Sequence, residues 1–146
     1  MSRITYADGA PNQQRHSLRR AIAEVLRRMS AKPGLDTEAK DMAAFIVFAL
    51  REIAASVDKS AAAWEKRDYY LKADAFRRDW AWVEPAADKL HAAIRDERWA
   101  DLLPALAQLA PQFADVRVTQ LTRPASLWQG CYNRLVPQPV GGKHNR

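Results

Sequence analysis

Apolar residues recur along this chain at helical spacing. Between about Asn12 and Ala31, Leu18, Ile22, Val25 and Met29 step by four, three and four positions, which aligns them on one face of a helix. Lys32-Pro33-Gly34 ends that pattern. Asp36 then offers an N-cap, with Glu38 in the first turn, where the helix dipole favours negative charge. In the second helix Met42, Ile46, Ala49 and Ile53 repeat the same steps, and Phe45, Phe48, Leu50 and Val57 widen the stripe until AAFIVFAL is apolar nearly all round. A helix that is apolar on every side belongs at the centre of a core. No Gly or Pro occurs from Leu35 to Glu84. A break is expected at Ser56 to Ser60, where Asp58 and Lys59 interrupt the seam, and one long rod through residues 36–84 is the alternative.

The longest pattern follows. Tyr69, Ala73, Phe76, Trp80, Val83, Ala87, Leu90 and Ile94 alternate steps of four and three, which predicts a third helix with a heptad seam. Pro85 lies inside this run without disturbing its phase, so a kink is expected there. Arg95-Asp96-Glu97-Arg98 reads as a tight turn into a fourth helix marked by Trp99, Leu102, Leu103, Leu106 and Leu109 and stopped by Pro111. Val116-Arg117-Val118 alternates like an extended segment, and Pro124 to Leu135 suits a short helix weakened by Gly130. The expected architecture is all-α: a bundle of four main helices with a short C-terminal helix or extended arm. One domain, residues 12–136, lies between a flexible leader at 1–11 and a flexible tail at 137–146.

Composition agrees with that class. Only five glycines occur in 146 residues, a length that buries roughly two-thirds of the unfolded surface in one core. The single cysteine, Cys131, excludes an intrachain disulfide and a multi-cysteine zinc site and fits a reducing cytosol. No stretch long enough to cross a bilayer is free of charge, and the N-terminus has no apolar signal region. The chain therefore reads as a soluble, cytoplasmic protein with no membrane partner.

Charge adds the first functional hint. Lys and Arg number 23 against 17 Asp and Glu, a net charge of +6 that attracts polyanions at long range. The excess is concentrated in the first helix, where Arg15, Arg19, Arg20, Arg27, Arg28 and Lys32 accompany one acid, Glu24. Such a set can neutralise nucleic-acid phosphates without reading bases. A solvated basic face needs no ligand, so both readings stay open.

The stretch WEKRDYYLKADAFRRDWAW, residues 64–82, carries six aromatic rings among nine charges. Helical phasing assigns Tyr69, Phe76 and Trp80 to the core seam. Trp64, Leu71, Arg78, Trp82 and Lys89 then fall on a second stripe roughly 120–160° away. That stripe suits either another part of the fold or a partner interface anchored by Trp82, since Trp and Arg are enriched at binding hot spots.

Catalytic signatures are missing. His16, His91 and His144 share no ligand spacing, Cys131 has no histidine near it in sequence, and no phosphate-binding glycine loop or nucleophile elbow occurs. The expectation is a non-enzyme without metal or cofactor: a basic subunit that binds the backbone of RNA or DNA inside a larger bacterial assembly. In size, charge and helix content the chain resembles, as a class, the small all-helical subunits of bacterial nucleoprotein machines, including those of CRISPR effector complexes; no motif carries that likeness. The alternative is a protein-interaction module or homo-oligomeric scaffold using the Trp64/Trp82 face.

Overall fold

The computed structural model describes residues 2–138, with side chains from residue 10 onward. All its regular elements are helical: α1 (Ser2–Ser30), α2 (Thr37–Lys66), α3 (Tyr70–Asp79), α4 (Val83–Arg95), α5 (Trp99–Leu109) and the short α6 (Cys131–Leu135). The all-α bundle read from the hydrophobic pattern is thus the fold, and α2 is its axis. This helix touches α1, α3, α4 and α6, while α5 packs on α4. Ile46, Leu50 and Ile53 are fully buried along it.

Local chemistry explains most of the boundaries. The Asp36 carboxylate accepts the Ala39 N–H at 2.8 Å and caps α2, as expected from sequence. The short link from α1 makes the two long helices antiparallel, so that Arg15 in α1 meets Ser56 and Ser60 late in α2.

Four boundaries differ from the sequence reading. α1 begins at Ser2, not near Asn12, so the segment expected to be a loose leader has a helical backbone with Pro11 inside it. Extending a helix already held by packing fixes one residue per added bond, which is cheap beside starting a new one. α2 runs unbroken through Ser56–Ser60 because the polar interruption there is not a defect: Ser56 donates its hydroxyl to the Ile53 carbonyl and both serines face Arg15. The chain turns instead at Arg67–Tyr69, where Asp68 adopts φ 64°. The predicted third helix is divided at Trp80–Trp82, and Pro85 sits in the first turn of α4. There its missing N–H would have had no partner within the helix, so the proline starts a helix rather than kinking one.

Beyond α5 the chain passes a 3-10 turn (Ala110–Phe113), runs without regular structure along α1, and enters a second 3-10 turn (Ala125–Leu127). Gly130, at φ 80°, separates that turn from α6. Trp128 is buried and its indole N–H reaches Glu38 at 3.1 Å. The Asp41 carboxylate accepts the N–H groups of Gly130 and Tyr132, tying α6 to α2. The tail expected from Pro137 lies outside the described residues except for Pro137 and Gln138.

Leu50→Ala is expected to lower the unfolding free energy by about 2–5 kcal/mol, read from urea denaturation followed by circular dichroism, because the cavity opens in the helix on which α1, α3, α4 and α6 pack.

Candidate nucleic-acid interface

The basic residues of α1 divide by direction. Arg15 points inward and is only 5% exposed. Its guanidinium donates to Ser56 Oγ at 3.1 Å, Ser60 Oγ at 3.3 Å and Asn12 Oδ1 at 3.3 Å, and lies 4.9 Å from the Phe76 ring and 5.6 Å from that of Trp80. No carboxylate pairs with it among the described residues. Burial draws its pKa below the ordinary arginine value, yet a guanidinium stays charged in proteins. The sequence reading placed Arg15 on a phosphate-binding face; its place inside the fold corrects that, since hydroxyls and ring faces already occupy its donors.

Arg19 and Arg28 act as fasteners. Arg19 forms a two-point contact with Asp115 at 2.7 and 3.1 Å, donates to the Gln112 carbonyl at 2.8 Å and lies over Phe113. Arg28 donates to the carbonyls of Leu121 and Arg123 and stacks on Trp128. Between them sits Glu24, 1% exposed, which accepts the Arg123 N–H at 2.8 Å and the guanidiniums of Arg123 and Arg28 at 3.2 and 3.3 Å. Burial alone would raise the Glu24 pKa, but the hydrogen bonds from Arg123 and Arg28 outweigh it and leave it below the usual value of 4.5. Lys32 is held by Glu38 at 2.8 Å and Asp36 at 3.0 Å, which raise its pKa.

Among the described side chains of α1, Arg20 and Arg27 are the exposed arginines, seven positions apart on one stripe. Arg20 has no hydrogen bond or ion pair among the described residues. Arg27 donates to the Val118 carbonyl, which brings the neighbouring exposed Arg117 to the same edge. Composition did not single out Arg117, because only the fold lays residues 115–123 beside α1.

The second stripe does not survive as a single surface. Two breaks, at Arg67–Tyr69 and Trp80–Trp82, reset the phase between Trp64 and Lys89. Trp64 packs edge-on to Phe76 at 4.9 Å, and Trp82 stacks on Trp80 at 6.2 Å while meeting Phe113 edge-on at 5.9 Å. Both tryptophans therefore belong to an internal aromatic row, the intramolecular alternative of the sequence reading. Leu71 and Arg78 are exposed on α3. Lys89, on α4, bonds Gln108 at 2.8 Å across a groove of about 240 Å³ that Trp82 also lines.

His91 accepts from Arg51 at Nδ1, 3.0 Å away, and burial followed by the charges of Arg51 and Arg95 lowers its pKa. Since a guanidinium only donates, the ring nitrogen facing Arg51 is the acceptor. The Cys131 thiol is buried, receives a hydrogen bond from Arg134 at 2.9 Å and has its pKa raised by burial. Among the described residues no three His, Cys, Asp or Glu side chains gather into a group that could hold a metal ion. No described helix is long and apolar enough to cross a membrane.

The Glu24 node makes a pH-dependent prediction. Its folded pKa is depressed, so its stabilisation is present above the unfolded value and is lost as pH falls below about 4.5 through the folded value. Glu24→Gln is expected to cost about 2–3 kcal/mol at neutral pH, toward the low side for a buried pair because both guanidiniums keep contact with solvent. In urea titrations the gap between wild type and variant should close as the pH is lowered through that range.

No protein-family model matches this chain, and no curated protein or solved structure matches it.

Proposed function

We propose that the protein is a non-catalytic, basic helical subunit that binds the backbone of RNA or DNA without sequence specificity, as part of a larger bacterial assembly of the kind that uses small CRISPR-effector-type subunits. The observation that carries this reading is that Arg20 and Arg27 are exposed seven positions apart on α1 and that Arg27 meets the carbonyl of Val118, next to the exposed Arg117, on a chain whose net charge is +6. These cations belong to a helix and an irregular segment, so they are spaced along a surface rather than stacked on one turn. Guanidiniums suit this task, because their planar donors match phosphate oxygens in pairs.

Arg15, Arg19 and Arg28 support the same reading indirectly. Arg19 and Arg28 hold α1 to the segment from Gln112 to Arg123, while Arg15 anchors α1 to α2, and together they support the outward cations. A protein-interaction role is the second reading. It draws on the groove between α4 and α5 lined by Trp82, Pro85, Ala86, Lys89, Leu90 and Leu109.

The test is the salt dependence of binding to a labelled single strand. Replacing Arg20, Arg27 and Arg117 together by Gln is expected to weaken binding across sequences and to reduce the slope of log affinity against log salt by about 2. Absence of wild-type binding in low salt, or an unchanged slope in the triple variant, overturns the proposal.

A further inference from the structure

Three consecutive large apolar side chains stand in solvent where α2 turns into α3. Tyr69 is 53% exposed, Tyr70 56% and Leu71 86%. Their four aromatic neighbours in the stretch 64–82 behave differently, since Trp64, Phe76, Trp80 and Trp82 all pack on one another. The fold thus sorts six rings into an inner row of four and an outer pair.

The outer pair is held in place. Asp68 takes the left-handed conformation at φ 64°, one that residues other than glycine rarely adopt. That geometry brings the Tyr69 N–H to the Trp64 carbonyl at 2.9 Å and closes the end of α2. The Tyr70 hydroxyl donates to the Asp68 carboxylate at 3.3 Å. Beneath the turn, Trp64 is wedged against Phe76, and the Lys72 ammonium lies 4.6 Å from the Trp64 ring centre. Asp68, Tyr69, Tyr70, Leu71 and Lys72 line a shallow surface recess of about 660 Å³.

Charge selects the occupant. Residues 66–72 hold three exposed cations, Lys66, Arg67 and Lys72, and one acid, Asp68, which accepts from Tyr70, while the adjoining Glu65 is paired with Arg77. A single-stranded nucleic acid presents flat base faces and phosphates in alternation, which matches adjacent exposed rings bordered by cations. A duplex hides its base faces within the stack. We propose that Tyr69 and Tyr70 form a stacking platform for unpaired bases, with Lys66 and Lys72 beside the adjoining phosphates; this rests on the nucleic-acid reading above and narrows it to single strands.

The test compares a short oligothymidylate with an abasic strand of equal length and charge, by fluorescence anisotropy in low salt. Wild-type protein is expected to bind the base-bearing strand roughly tenfold or more tighter. Tyr69→Leu/Tyr70→Leu should abolish that preference and leave abasic binding unchanged, while Tyr69→Phe/Tyr70→Phe, which keeps the rings, should preserve it. Equal binding of both strands by wild type overturns the platform alone and leaves backbone binding standing. An equal loss on both strands in the Leu variant, or no loss on either, also overturns it, the latter assigning the surface to another class of partner. Failure of wild type to bind either strand overturns the parent reading and the platform with it.

Discussion

The fold is built around a buried guanidinium, that of Arg15, which has no carboxylate partner among the described residues. Arg15 must be satisfied by neutral partners, because leaving a charge unsolvated and unbonded costs several kcal/mol or more. Two serine hydroxyls from α2 and the faces of Phe76 and Trp80 supply that environment. The contact joins α1, α2 and the α3–α4 region at one point. One turn further along the same face, Arg19 reaches Phe113, at the end of the aromatic row that begins at Trp64. α1 therefore touches the aromatic row at its middle, through Arg15 on Phe76 and Trp80, and at one end, through Arg19 on Phe113.

The same division of charge shapes the surface. A helix that looks uniformly basic in sequence uses Arg15, Arg19 and Arg28 for packing and presents Arg20 and Arg27 outward. Glu24 makes this arrangement workable. As a buried acid it binds Arg28 and Arg123 and fastens the C-terminal segment along α1, where the carbonyl of Val118, next to Arg117 in the chain, meets Arg27.

Helical periodicity made the fold class, the central α2, the Asp36 cap and the turn before α5 legible in advance. Ala73, Val83, Ala87, Leu90 and Ile94 of the heptad seam are buried as their spacing implies. Tyr69 is not, because it lies in the turn between α2 and α3, one residue before α3 begins, with no Gly or Pro to mark that turn. The break at Trp80–Trp82 was hidden for a related reason: the hydrophobic phase continues across it, so only contacts among the rings reveal it. Side-chain direction on α1 was equally hidden. Arg15 precedes Leu18 by three and Arg19 precedes Ile22 by three, a spacing that does place both near the apolar face, but an arginine there is ordinarily read as solvent-exposed. Arg117 and the outer tyrosines became candidates only when long-range packing placed them.

The division of α1 into inward and outward cations can be observed residue by residue. Arginine Nε–Hε resonances followed by NMR during titration with a single-stranded oligonucleotide measure it directly. Shifts are expected at Arg20, Arg27 and Arg117, with Arg15, Arg19 and Arg28 unchanged to saturation. Shifts centred on Arg15 and Arg28, or spread evenly over every arginine of α1, would contradict the division.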